Sequence, residues 1–178
     1  DMVSRGLGDV YKRQEEYLAK HIIIATGARS RELPAIPQNG KNIIGYRKAM
    51  TLEKQPKKLV VIGSGAIGIE FAYFYNTMGT EVVIVEYLDR ILPVEDEEVS
   101  KQLERSFKKS GIKIFTNAEV KKVETKNKSV DVIIKTKSNE EILNADIVLS
   151  AVGIKTNIEN IGLEDVGIAI DNDKIMVN

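Results

Sequence analysis

The chain has no cysteine. Disulfides, thiolate zinc sites, iron–sulfur clusters and thiol nucleophiles are therefore excluded within its 178 residues. The same absence fits a cytosolic setting, and cytoplasmic is the expected location. Neither sign of charge is in excess. The 26 Lys and Arg residues balance 26 Asp and Glu, which leaves no global pull toward nucleic acid or anionic lipid. Tryptophan is missing too, and the lysine-rich stretch 121–137 has none of the interleaved aromatics that nucleic-acid stacking needs. No apolar run approaches the length of a membrane span, and no charged-then-apolar signal segment opens the chain. The one histidine, His21, has no nearby carboxylate, serine or cysteine partner, and no HExxH is present. The acidic run at 95–98 lacks the alternating spacing of a calcium loop. The expectation is a chain with no catalytic residue and no metal site of its own, and without a nucleic-acid or membrane partner.

What is present is a globular composition. At 43% hydrophobic the chain can bury a core, and its length suits one domain or one and a fraction. Residues 1–14 show neither helical nor strand periodicity and read as a non-native, adapter-derived segment. Residues 21–25 (HIIIA) read as a buried strand closed by a turn at Thr26-Gly27. Residues 29–45, with Pro34, Pro37 and Gly40, read as a surface connection, and 46–52 as a short helix. Residues 58–62 (KLVVI) and 81–85 (EVVIV) are apolar runs of buried-strand type. Between them the spacing predicts a helix over 66–78, with Ile67, Phe71, Tyr75 and Met78 on its apolar face and Gly79 just past its end. A second helix is predicted over 95–110, with Val99, Leu103 and Phe107 on its inner face. Acidic residues crowd its first turn and Lys108-Lys109 its last, which complements the helix dipole. Short strands at 112–115, 119–124 and 130–136 then suggest a β-meander, and 146–152 a last apolar strand. The order β-α-β-α, meander, β predicts an α/β fold with a doubly wound parallel sheet.

The chemistry concentrates at Gly63-Ser64-Gly65-Ala66-Ile67-Gly68. A lone GxGxxG is weak evidence, but here a strand precedes it and a helix starts inside it. A carboxylate, Glu86, also ends the next strand 23 residues after Gly63. Each glycine has a physical task. Gly63 permits the tight turn, Gly65 lets backbone approach a pyrophosphate, and Gly68 lets the helix pack closely on the strand. The helix start offers free N–H groups to phosphates. Glu86 is placed to accept from both adenosine ribose hydroxyls and to repel a 2′-phosphate, which favours NAD over NADP. The competing reading is a glycine turn with no ligand. Glu70, two residues after Gly68, reads on spacing alone as a structural carboxylate on the first turn of the helix, favoured there by the dipole.

The stretches HIIIATGAR, GSGAIGIEFA, ILPVEDEEVSKQLERSF and DIVLSAVGIKTN follow one another in an order that resembles the pyridine nucleotide–disulfide oxidoreductase flavoproteins. Within that family the chain is most similar to the flavoprotein component of the 2-oxoacid dehydrogenase complexes. The resemblance covers residues 15–178 and implies a Rossmann-like NAD-binding domain at 47–153. It also implies partial strands of a second, FAD-binding domain at 15–46 and 154–178. It assigns NAD contacts to Gly63–Gly68, Glu70, Glu86, Val120 and Gly153. Val120 would face the adenine, and Glu70 would lie near the nicotinamide. Thr26 and Gly27 resemble the family turn that packs against FAD. The implied cofactors are NAD and FAD. The implied partners of the complete enzyme are lipoyl domains and a second subunit. The resemblance further implies that the chain is a portion of a larger enzyme and inactive by itself. It lacks the first FAD glycine motif, the CxxxxC redox disulfide and the C-terminal His/Glu pair. Two positions depart from the family pattern: Ile154 stands where arginine is usual, and Thr156 where proline is usual. Another disulfide reductase or NADH oxidase of the superfamily, or a non-enzymatic NAD-sensing module, would share most of these features.

Overall fold

A strand buried on both faces needs a continuous apolar run, and three strands of this chain, each polar at one end only, carry one. In the computed structural model, which describes residues 16–177, they form the centre of one parallel sheet. In chain order the first elements are β1 (Ala28–Ser30), β2 (Ile43–Ile44), α1 (Tyr46–Ala49), β3 (Lys58–Ile62), α2 (Ala66–Thr77), β4 (Glu81–Val85) and α3 (Glu97–Lys109). They are followed by β5 (Lys113–Phe115), β6 (Glu119–Thr125), β7 (Val130–Lys135), β8 (Glu140–Ala145), β9 (Ile147–Ser150) and β10 (Ile154–Thr156). Two short strands, β11 (Ile170–Asp171) and β12 (Lys174–Ile175), close the series. The parallel sheet runs β2-β9-β3-β4-β5, and β6-β7-β8 form a separate antiparallel meander. The reading of residues 1–14 lies outside the described residues.

Alternation along the central strands sorts their side chains into two cores. Leu59, Val61, Val82, Ile84 and Leu149 pack under Ala72 and Tyr75 of α2 and Phe107 of α3. Val60, Ile62, Val83, Val85 and Val148 pack against Val130, Val132 and Ile134 of the meander. The sheet thus lies between a helical layer and a β layer. Each such aliphatic side chain, fully buried, contributes about 1.5–3 kcal/mol of transfer free energy. The helices cover only one face of the parallel sheet. The meander takes the place of the second helical layer that a doubly wound sheet usually has.

Several local expectations need correction. Residues 21–25 form no strand, and Ile23 is 91% exposed; no strand among the described residues pairs with this run. The connection at 29–45 is more ordered than a surface loop, since it carries β1 and β2 and buries Ile36, Ile43 and Ile44. Residues 113–115 join the parallel sheet beside β4 rather than the meander. The third meander strand is instead β8, whose polar sequence EEILNA hid it. The buried face of α2 is Gly68, Ile69, Ala72 and Tyr75, one residue round from the expected stripe, and Met78 is exposed. Small residues at 68 and 72 bring the helix axis close to the sheet, and that proximity selects the face. On α3, Val99 is 50% exposed while Ser100 and Phe107 are buried. The helix starts at Glu97 rather than at 95, with Asp96 capping it by accepting from the Glu98 N–H at 2.8 Å; the expected dipole pattern holds, with Glu97 and Glu98 in the first turn and Lys108 and Lys109 in the last.

The two ends of the described chain meet outside the sheet. β1 pairs antiparallel with β10. The Arg29 guanidinium forks onto Glu159 at 2.5 and 3.1 Å and also donates to Asn157 Oδ1 at 2.7 Å. Lys155 Nζ adds a contact to Glu159 at 3.0 Å. The Arg29 hydrogen bonds, followed by that of Lys155, hold the Glu159 carboxyl down from its ordinary 4.5 to about 2. A depressed carboxylate stabilises the fold above its unfolded value and loses that contribution as pH falls from about 4.5 through about 2. The Glu159 carboxyl resonance is therefore expected to titrate near 2, and to return to the ordinary carboxylate range in Arg29→Ala. An ordinary midpoint in the unaltered chain would show that the pair does not form in solution.

Candidate functional site

Ligand grooves in open parallel sheets form beyond the carboxyl ends of the strands. Here a groove of about 860 Å³ lies beyond the ends of β3, β4 and β9. Gly63, Ser64, Gly65, Ala66, Ile67, Glu86, Val120 and Gly153, all expected site residues, line it together. Gly68 is buried beneath the loop instead of lining the groove. Glu70 is exposed, in the second turn of α2 rather than the first, and borders a different groove of about 490 Å³ with Met50, Phe74 and Met78. Thr26 and Gly27 lie apart from both grooves. Their carbonyls accept from the Asn157 side chain at 3.1 Å and the Asn157 backbone N–H at 2.9 Å.

The three glycines of the loop are glycine for three different reasons. Gly63 has φ +95°, and a Cβ there would lie 2.5 Å from the Ala151 carbonyl oxygen. Gly68 faces the Gly63 carbonyl so closely that a Cβ would overlap it. Gly65 has φ −68° and ψ −179°, a conformation open to any residue, and a Cβ there would meet nothing within 4 Å. Nothing inside the protein requires glycine at 65. The space its side chain would fill is the groove, in front of the α2 N-terminus, where backbone N–H groups are free of helical partners.

Glu86 is 6% exposed and held on all sides. Its Oε2 accepts from the Ser64 N–H at 2.8 Å and the Ser64 hydroxyl at 2.6 Å, and its Oε1 accepts from the Leu88 N–H at 2.8 Å. Its backbone N–H donates to Phe115 O at 2.8 Å, and its carbonyl accepts from Ala118 N at 3.0 Å. An ionised carboxylate offers about four acceptor positions. Three are taken, so one remains, on Oε1. That is room for one ribose hydroxyl, where the sequence alone allowed two.

Sequence reasoning missed the apolar walls of the groove. Tyr87 and Leu88 follow Glu86 directly and could have been found by extending the strand-end motif. Leu33, Ile36 and Val94 come from connections with no periodicity, and no local signal marked them. Ile154 also borders the groove, while Thr156 donates its hydroxyl to the Asp173 carbonyl. Both family departures are thus accommodated in place. Among the described residues there is no cluster of metal-ligating side chains, and no helix is long and apolar enough to cross a membrane.

A glycine loop between strand and helix, a strand-end carboxylate and a groove at the strand tips are features of the dinucleotide-binding class of α/β folds. The chain belongs to the pyridine nucleotide-disulphide oxidoreductase family, whose model matches residues 3–178. It is 48% identical over 161 residues to the dihydrolipoyl dehydrogenase of Rhizobium etli, covering 90% of this chain and 34% of that protein. It is 38% identical over 178 residues to the dihydrolipoyl dehydrogenase of Bacillus subtilis, covering 99% and 37% respectively. Among solved structures, LpdA of Mycobacterium tuberculosis matches with a TM-score of 0.73 at 32% identity, over 83% of this chain and 32% of that one. RclA, a HOCl-induced flavoprotein disulfide reductase of Escherichia coli, matches with a TM-score of 0.73 at 25% identity, over 86% and 35%. The chain spans about a third of the length of the curated relatives it matches.

Proposed function

We propose that this chain is the nucleotide-binding part of a flavoprotein of the dihydrolipoyl dehydrogenase type, and that NAD(H) occupies the groove beyond β3, β4 and β9. The observation that carries this reading is Gly65. Its backbone conformation does not need glycine, its missing Cβ leaves open space, and that space faces the N-terminus of α2. A bound pyrophosphate accounts for a glycine that packing does not. Glu86 would receive one ribose hydroxyl, Val120 would face the adenine, and Gly153 would let the end of the last sheet strand approach the dinucleotide.

In the complete enzyme two electrons would pass from dihydrolipoamide through a disulfide and FAD to NAD+, the cofactors supplying the redox chemistry. The residues of this chain bind and orient. Residues 15–46 and 154–178 are read as the two flanks of an FAD-binding domain, with Thr26 and Gly27 in the turn against the flavin. The pairing of β1 with β10 supports this division, because it joins those two flanks to each other outside the parallel sheet. The pairing of β2 with β9 supports drawing the start of the nucleotide unit at β2, ahead of the expected boundary at 47. Glu70 is proposed to stand near the nicotinamide, at the edge where that domain would meet the flavin. Lipoyl domains and a second subunit are the proposed partners of the complete enzyme, and the cytoplasm its proposed location.

The test is a paired titration. NADH is expected to bind at least about tenfold more tightly than NADPH, because a 2′-phosphate would press its charge against the fixed Glu86 carboxylate. Equal or reversed affinity, followed by NADH fluorescence, would overturn the assignment of Glu86. Catalytic turnover by the chain alone is expected to be absent.

A further inference from the structure

Selectivity at a strand-end carboxylate depends on whether that carboxylate can move. A free one can rotate away from a 2′-phosphate; an anchored one cannot. The anchor here is a residue of the glycine loop itself. Ser64 is fully buried, and both its N–H and its hydroxyl donate to the same Glu86 oxygen, at 2.8 and 2.6 Å. Its carbonyl, in turn, accepts from Leu92 N at 2.9 Å, and Leu92 O accepts from the Ser100 hydroxyl at 3.1 Å. The loop that would cradle the pyrophosphate, the carboxylate that would read the ribose and the start of α3 are therefore tied at one serine. We propose that Ser64 is a positioning residue for cofactor selectivity: its hydroxyl locks the Glu86 carboxylate in one orientation, with a single acceptor position open on Oε1. The rejection of a 2′-phosphate would then be rigid.

Serine suits this task for two reasons. A hydroxyl beside a carboxylate donates its one proton and makes a charge-assisted hydrogen bond, roughly twice as strong as a neutral one. A residue without a side-chain donor would leave only the Ser64 and Leu88 backbone bonds, one to each oxygen, and the carboxylate could tilt about that pair. Glu86 contributes charge; Ser64 contributes direction.

The inference rests on the dinucleotide reading, and the experiment separates the two. The affinities for NADH and NADPH are measured for the unaltered chain, Ser64→Ala, Glu86→Ala and the double variant. Ser64→Ala is expected to lower the NADPH-to-NADH ratio of dissociation constants by about fivefold, only part of what one hydrogen bond to a charged group contributes, because the two backbone bonds still hold the carboxylate. In the Glu86→Ala background the same change is expected to move the ratio by less than about twofold, since Ser64 acts only through the carboxylate. A ratio untouched by Ser64→Ala, or moved equally in both backgrounds, would overturn the role of Ser64 while leaving NAD binding intact. A second measurement needs no ligand. Hydrogen exchange at the Leu88 N–H should quicken in Ser64→Ala because the carboxylate that accepts from it is loosened, and unchanged exchange counts against the lock. An unaltered chain that binds neither nucleotide would overturn the dinucleotide reading and this one with it.

Discussion

Replacing Gly65 with valine is expected to abolish NADH binding, by about a hundredfold or more, while the chain stays folded. At φ −68° and ψ −179° valine is unstrained, and a Cβ would have no protein atom within 4 Å. Gly65 is the N-cap of α2 and offers no side-chain cap bond, so the change removes no hydrogen bond. The structural cost is the preference for glycine over valine at that cap, below about 1–2 kcal/mol. The functional cost is much larger. Three carbon atoms would fill the space through which a pyrophosphate must reach the free N–H groups, and each of those hydrogen bonds is charge-assisted. Circular dichroism should report an intact chain, and NADH titration should report no saturable binding. Binding within about threefold of the unaltered chain would remove Gly65 from any phosphate site, and with it the strongest argument for the dinucleotide reading. Gly65→Ala is expected to fall between the two.

The contrast between residues 58–86 and the rest shows what sequence can carry. β3 and β4 were legible residue for residue because past its exposed first residue a strand buried on both faces is apolar throughout, and that is a local rule. The loop was legible because its glycines stand at fixed offsets between a strand and a helix. β8 was not, because its EEILNA pattern is that of a sheet edge whose outer face is solvated, with even Ile142 exposed. The apolar run at 21–25 satisfied the same local rule as β3 and still formed no strand among the described residues, because a strand also needs a neighbour. The face of α2 was misread for a related reason. Periodicity counts large apolar residues, whereas this helix turns its small ones, Gly68 and Ala72, toward the sheet. At the site, sequence proposed Glu86 as a ribose acceptor but could not show that Ser64 and Leu88 already occupy most of its capacity. Hydrogen-bond saturation is a property of three-dimensional neighbours and leaves no spacing signal.

Gly68→Ala tests that misread face, and its expected sign is opposite to the usual one. In an exposed helix interior, alanine is more stable than glycine by about 1 kcal/mol. Here the added methyl would overlap the Gly63 carbonyl oxygen, lie 3.0 Å from its carbon and come 3.3 Å from Val61 Cγ1. None of these can give way. Gly63 is fixed by its N–H bond to Val85 O at 2.9 Å and by Ala151 pressed against its other side. Val61 is fully buried in the core under the helix. Nor can α2 lift off, because Ile69, Ala72 and Tyr75 are packed on the sheet and the Tyr75 hydroxyl donates to Ala49 O at 2.6 Å. Overpacking against rigid backbone costs about 3 kcal/mol or more, which exceeds the propensity gain several-fold. For a chain of this size that loss corresponds to a fall of about 10 °C in Tm, with a matching fall in the urea midpoint. An unchanged or raised Tm would show that helix and strand are not in contact at this point. The close approach that sets the buried face of α2, and holds its N-terminus at the groove, would then be wrong.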